Sequence, residues 1–341
     1  SRDLKQDLKL DTTIKENNDV IINKQLIGNL KGLKLNLEFT KGTLDTDIKS
    51  LKKAARQGIA NELINRAKEI SEKKELEFKD DFKIYWKDNP VAKIKKGSNY
   101  LSPEIDIIAD EALDINFRKD LITSLNLWIK NLISEELKDL VNLIKFKNNN
   151  KYLRALSFQL YENNGVLKRD NIKDIVDSIS KEDRKQLRQL GIKIGRYHIF
   201  LPRMLKPKAV NLRISLWKFY NNISNNNEIP KSGLNFLINK DNKLNAKFLL
   251  LCGFEKFKNF YVRIDILEKL FLKILENTKA KKFKVNAEMM NLLGCSKENF
   301  YKLMNYMNYK RDREADTYRF IGDRKKKENI IKFDKKENPF N

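Results

Sequence analysis

Residues 20–32 read VIINKQLIGNLKG, and residues 83–97 read KIYWKDNPVAKIKKG. Laid over one another, Ile22 falls on Trp86, Ile27 on Val91 and Leu30 on Ile94, each pair 64 residues apart. Both copies carry an apolar run, a polar turn (residues 23–25 and 87–89) and a second apolar run, the signature of a β-hairpin. Pro90 cannot donate to a ladder, so the returning strand of the second copy begins there or lies at an edge. A helical stretch follows each hairpin. Across 46–74, Ile48, Leu51, Ala55, Ile59, Leu63 and Ala67 recur at helical spacing. Residues 103–110 read as a short strand, and across 117–146 Leu121, Leu125, Trp128, Leu132, Leu137 and Leu140 form a broad apolar stripe. Two hairpin–helix repeats are the expected outcome, with Trp86 and Trp128 as core anchors.

The asparagine-rich stretch 147–151 is the candidate linker. Beyond it, helices are expected over 152–163, 169–180, 182–190 and 208–220, with a strand over 196–201. Gly191 and Gly195 read as a helix stop and a turn. A further helix starts near Ile266, with Asp265 placed as N-cap and Glu268 as the acid of a capping box. Residues 287–293, a turn at 294–296 and residues 297–306 form a helix–turn–helix pattern; strands at 317–321 and 330–333 then flank a basic turn at 324–327. Two helices followed by a hairpin with a charged tip read as a winged helix. The expected fold is mainly α with small β elements: tandem hairpin–helix repeats (1–148), a central helical basic module (149–228), a winged-helix-like domain (229–333) and a basic tail (334–341).

Between Arg184 and Asn227 the chain carries ten lysines and arginines and no aspartate or glutamate. The cations alternate with aliphatic and aromatic residues, so the segment can fold and hold its charges on a rigid surface, the usual partner of which is a phosphate backbone. Candidate contacts are Arg184, Arg188, Lys193, Arg196, Arg203, Lys206, Lys208 and Arg213. Tyr197 is the candidate for base stacking, whereas Phe200 and Trp217 read as packed side chains and His198 as a structural or phosphate-adjacent residue. In the helix–turn–helix pattern Lys297 and Lys302, with Asn299 and Asn305, are candidates to face a groove.

Composition points the same way: 70 Lys+Arg against 46 Asp+Glu give a formal net charge of +24. A content of 41% hydrophobic residues supports real cores, and 12 Gly with 6 Pro argue against low complexity and against a turn-rich all-β fold. No apolar run reaches the ~18–20 residues needed to span a bilayer. Two cysteines, Cys252 and Cys295, cannot build a disulfide framework, which suits a reducing cytoplasm. The sequence has no G-x-x-x-x-G-K-[ST] loop and no G-x-G-x-x-G, and its single histidine leaves no His-rich metal set. The densest acidic cluster, Asp106, Asp110, Glu111 and Asp114, reads as the start of a helix. A chain that is not an enzyme, with no catalytic or metal residues of its own, is the expectation.

LRQLGIKIGRYHIFLPRMLKP, residues 187–207, resembles the region downstream of the motor in alphaproteobacterial superfamily-2 ATP-dependent helicases, relatives of the RNA helicase of the mitochondrial degradosome. Leu187, Arg188, Leu190, Gly191, Ile192, Gly195, Phe200, Pro202, Leu205, Lys206 and Pro207 carry the resemblance. IYWKDNPVAKIKKG, IDIIADEAL, LSFQLYENNGVLKR, YVRIDILEKL and LLGCSKENFYKLMNYMNYKR are similar to further blocks in the same order, over residues 20–311. The resemblance implies a bacterial cytoplasmic protein region that grips RNA or DNA and works with helicase motor domains in cis or in trans. ATP and Mg would belong to those motor domains, whose motifs this chain lacks. The alternative from the residues is a protein–protein scaffold docking a nuclease or ribosomal partner through the N-terminal repeats.

Overall fold

A computed structural model describes residues 11–39, 45–223, 228–238, 245–313 and 316–322. The chain forms two compact units, Ser1–Pro230 and Lys231–Asn341. Among the described residues it is mixed: eleven α-helices stand beside small antiparallel sheets.

In the first unit, β1 (Thr12–Ile14), β2 (Asp19–Ile22), β3 (Gln25–Lys31) and β4 (Lys34–Leu37) form one antiparallel sheet in chain order, followed by α1 (Asp45–Ser71). The pattern then recurs with β5 (Leu76–Phe78), β6 (Lys83–Trp86), β7 (Asn89–Lys95) and β8 (Glu104–Ile107), followed by α2 (Ile115–Glu136). Ile22 pairs with Gln25 as Trp86 pairs with Asn89, and the bulge between Val20 and Ile21 has its counterpart between Ile84 and Tyr85. The turns are two residues long, not three. Asn23 and Lys24 in one, Lys87 and Asp88 in the other, all take positive φ, the geometry whose twist matches that of the flanking strands.

Side-chain spacing sets how the helices pack. Asp114 caps α2 by accepting from the Asn116 and Phe117 amides, and Leu121, Leu125, Ile129 and Ile133 bury one i,i+4 stripe. Each such side chain contributes roughly 1.5–3 kcal/mol of transfer free energy. From α1, the buried Arg66 donates to the carbonyls of Leu30 at 3.2 Å and Gly32 at 2.9 Å, to Asn18 Oδ1 at 2.5 Å and to Glu62 at 2.8 Å, pinning the helix to the β3–β4 turn. Close approach also fixes Gly28, since a Cβ there would sit 2.0 Å from the Asn36 carbonyl oxygen. Gly28→Ala is therefore expected to lower stability by about 1–3 kcal/mol, read from the urea midpoint; an unchanged midpoint would contradict this packing.

The unit continues through α3 (Lys138–Lys145), α4 (Lys151–Glu162), β9 (Val166–Lys168), α5 (Lys173–Asp177), α6 (Lys181–Gln189), β10 (Lys193–Ile194), β11 (His198–Phe200) and α7 (Pro207–Tyr220). Where a helix over 169–180 is expected, the chain makes a 3-10 turn, Arg169–Ile172, and the short α5. One hydrophobic cluster takes in residues from Val20 to Leu216, across the 148/149 boundary read from the sequence. The asparagines there do not act as a linker: Asn150 caps α4 and donates to Asp183 at 2.9 Å, and Asn148 donates to Gln186 at 3.0 Å.

The second unit contains β12 (Phe236–Ile238), α8 (Ala246–Leu251), β13 (Phe254–Phe257), β14 (Phe260–Arg263), α9 (Ile264–Asn277), β15 (Lys282–Lys284), α10 (Ala287–Leu293), α11 (Lys297–Tyr306), β16 (Tyr309–Arg311) and β17 (Thr317–Phe320). Its sheets have the orders β12-β14-β13 and β15-β17-β16. The expected cap of α9 is displaced. Strand β14 runs directly into the helix, so Arg263 takes the cap position. Asp265 instead accepts from the Arg263 guanidinium at 2.6 and 3.1 Å, and Glu268 is buried. The first strand of the expected hairpin is present as β17, which pairs with β15 and with β16, a strand not expected from the sequence. Residues 324–327, 330–333 and the tail 334–341 lie outside the described residues.

Candidate nucleic-acid interface

The acid-free segment turns its apolar residues inward and most of its cations outward. A capping box between Ser180 and Asp183 starts α6, and the burial of Leu187 leaves Arg188 exposed and Arg184 half-exposed one turn before it. Gly191, with φ +81, ends this stretch because a Cβ would sit 2.9 Å from Asp139 Oδ2. β10 forms the edge of the β10-β11-β9 sheet. There Lys193 is half-exposed, its ammonium 5.8 Å from the Phe200 ring centroid. The hairpin tip presents exposed Arg196, whose guanidinium lies 5.9 Å from the half-exposed Tyr197 ring. His198, Ile199, Phe200 and Leu201 are buried, while Trp217 is partly buried against the same core.

A 3-10 turn, Pro202–Leu205, leads into α7. Lys206 is the cap residue of α7, with no side-chain cap bond and no acid in the first turn, and Lys208 follows Pro207. A helix N-terminus already carries roughly half a positive charge, to which Arg203, Lys206 and Lys208 add; all three are exposed. Arg203 Nη1 lies 3.7 Å from Asp139 Oδ1. Burial raises the Asp139 carboxyl above its usual range, and the Arg203 charge pulls it partly back.

Arg213 departs from the expected surface. It is fully buried, its Nε donating to the Met204 carbonyl at 2.9 Å and Nη1 to the Asn164 carbonyl at 3.1 Å. Helical periodicity explains the misreading: α7 buries Ala209, Val210, Leu212, Ile214 and Leu216 around it, so little of this helix faces water. Of the eight candidate cations in this segment, five are exposed, Arg184 and Lys193 are partly buried, and Arg213 is buried.

The α11 candidates are exposed but tied to acids. Lys302 Nζ lies 2.6 Å from Glu298, and this bond raises the lysine and lowers the carboxyl. Lys297 lies 3.6 Å from Asp316, which also accepts from the Tyr301 hydroxyl. Cys295 is half-buried, and burial pushes its thiol up to about 11, so it stays protonated at neutral pH.

Two features were missed in the sequence. A cleft of about 380 Å³ among β5, α2 and α7 is lined by Trp128 and Leu132 together with Glu77, Asp80, Glu136 and Lys208. Its residues come from three distant stretches, so no local pattern announced it. Lys279, Lys282, Lys310 and Arg319 meet only through strand pairing, and the alternation KKFK at 281–284 was their local sign. Among the described residues no group of three His, Cys, Asp or Glu side chains is placed to hold a metal, and no helix is long and apolar enough to cross a membrane. No family model, curated protein or solved structure matches the chain.

Proposed function

We propose that this chain binds nucleic acid, with RNA favoured, as a non-catalytic auxiliary region of a superfamily-2 helicase. The observation that carries the reading is the outward display of Arg184, Arg188, Lys193, Arg196, Arg203, Lys206 and Lys208 from a segment without acids. Each side chain rises from a backbone whose apolar neighbours are buried, so the charges keep their spacing and tracking a strand needs little reordering. The contacts are to phosphates, so binding is weakly selective for sequence, and Tyr197 at the hairpin tip supplies a face for a base. A motor in cis or in trans would supply ATP, Mg and translocation, while this region holds the strand.

Two finer readings of the fold belong to this proposal. The two N-terminal sheets, matched in register and bulge at an offset of 64 residues, support a tandem hairpin–helix repeat. The sequence α9-β15-α10-α11-β16-β17 with sheet order β15-β17-β16 supports a winged-helix-like unit.

Titration with single- and double-stranded RNA and DNA tests the reading. If six or seven phosphates are neutralised, affinity falls by roughly 10³-fold or more between 50 and 200 mM salt. A salt-insensitive interaction, or no binding, sinks it. The acidic, tryptophan-bearing cleft favours the second reading, a scaffold docking a basic segment of a nuclease or ribosomal partner. Glu77→Gln with Glu136→Gln would then abolish partner capture and leave RNA affinity intact.

A further inference from the structure

Pairing of β15, β17 and β16 aligns cations from separate parts of the chain. Lys282 faces Arg319 across β15 and β17, and Arg319 faces Lys310 across β17 and β16. The tight turn before β15 adds Lys279, joined to Lys282 by reciprocal backbone hydrogen bonds of 2.7 and 2.9 Å. Residues directly opposite one another on antiparallel strands share a face. Lys279, Lys282, Arg319 and Lys310 therefore stand in one row, and all four are exposed. Lys284, two residues beyond Lys282, projects from the same face, and Lys281 occupies the turn with φ +63. Within the group, Lys282 Nζ lies 2.5 Å from Asp312, a bond that holds the acid below its usual range.

Like charges directly opposite on a ladder repel and destabilise it. A polyanion laid along the row removes that cost, whereas water only screens it. The row crosses three spacings of ~4.8 Å, about 14 Å, the length of roughly four stacked nucleotides at ~3.4 Å each. α11 offers no comparable charge, because Lys302 is bonded to Glu298 and Lys297 lies beside Asp316.

We propose that the outer face of the β15-β17-β16 sheet is a further nucleic-acid contact. It takes the phosphate backbone of a single strand along Lys279, Lys282, Arg319 and Lys310, with α11 outside the contact. This assignment rests on the nucleic-acid reading above and adds to it where the second unit meets the strand. Lys282 serves as the ordered member of the row, fixed by Asp312, and the other three neutralise phosphates and release the strand's counterions.

The test uses the full chain and a labelled 20-nucleotide single-stranded polyuridylate at 50 and 200 mM salt. Lys279→Gln/Lys310→Gln/Arg319→Gln is expected to bind about a hundredfold more weakly at 50 mM, with a salt slope shallower by about 2, from ~0.7 per lost phosphate contact. Lys297→Gln/Lys302→Gln is expected to bind within about twofold of the parent, since no phosphate contact is lost. The charge-keeping Lys279→Arg/Lys310→Arg/Arg319→Lys variant restores affinity, which separates charge from folding. If the parent binds and the triple glutamine variant binds equally well, the sheet is not a contact and the reading of the first unit stands. A parent that does not bind removes both. The assignment also fails if the α11 variant loses as much as the sheet variant, if the charge-keeping variant does not recover, or if polyglutamate of matched charge competes as well as polyuridylate, which would give this face to an acidic polypeptide.

Discussion

Methionine in place of Arg213 is expected to lower the unfolding free energy of the first unit by about 2–5 kcal/mol, because two buried carbonyls lose their donor. The guanidinium satisfies two buried carbonyls, Met204 and Asn164, that no apolar side chain can satisfy. Each orphaned acceptor costs about 1–3 kcal/mol. Met204 belongs to the 3-10 turn before α7, so the same bond fixes the backbone that carries Arg203, Lys206 and Lys208. Arg213→Lys keeps the charge but loses the planar fork, and an intermediate loss follows. All three tryptophans, Trp86, Trp128 and Trp217, lie in the first unit, so urea unfolding followed by tryptophan fluorescence reports on that unit alone. A loss below about 1 kcal/mol, the net worth of one ordinary hydrogen bond, would mean that the turn is held by other means.

Charge reversal at Arg188, Arg196 and Lys206 produces the largest expected effect on binding, about a thousandfold or more at 50 mM salt. Three phosphate contacts are lost and three repulsions replace them. All three side chains are exposed, and they come from α6, the β10–β11 tip and the cap of α7. Arg203 is left unchanged because a glutamate there would face the buried Asp139 carboxyl. Stability stays near the parent value, as is usual for surface substitutions. Retained affinity in a folded triple variant would rule out the basic segment as the contact.

Much of the fold was legible where periodicity and turn chemistry agree. The existence of the two antiparallel hairpins after Ile22 and Trp86 (though not their two-residue turns), the α2 stripe at Leu121 and Leu125, and the helix stop near Gly191 follow from apolar spacing and from residues that tolerate a left-handed backbone. What escaped depends on contacts distant in sequence. Strands β12, β13 and β16 are three or four residues long, too short for a period to show. The cap of α9 was misplaced because strand pairing at Arg263, whose amide bonds the Asn235 carbonyl at 3.0 Å, overrides the local preference of Asp265. Among candidate residues, charge alone could not tell the buried Arg213 from its exposed neighbours. Nor could it show that Lys302 is offset by Glu298, although the i,i+4 spacing was visible.

The two N-terminal sheets are joined by a parallel bridge between Leu33 and Ala109, reinforced by the Asp110 amide bonded to the Leu33 carbonyl at 2.8 Å. Each meander pairs strands that are neighbours in sequence, which is fast, whereas this seam waits for a partner 76 positions later. At a synthesis rate of ~5–20 residues per second, that interval is roughly 4–15 s. During those seconds the emerging first sheet has its own ladders but lacks the neighbour that completes its rim. Translation pace across residues 33–110 therefore sets how long the Leu33 seam stays unpaired, and slow codons there are expected to delay docking of the two sheets without changing final stability.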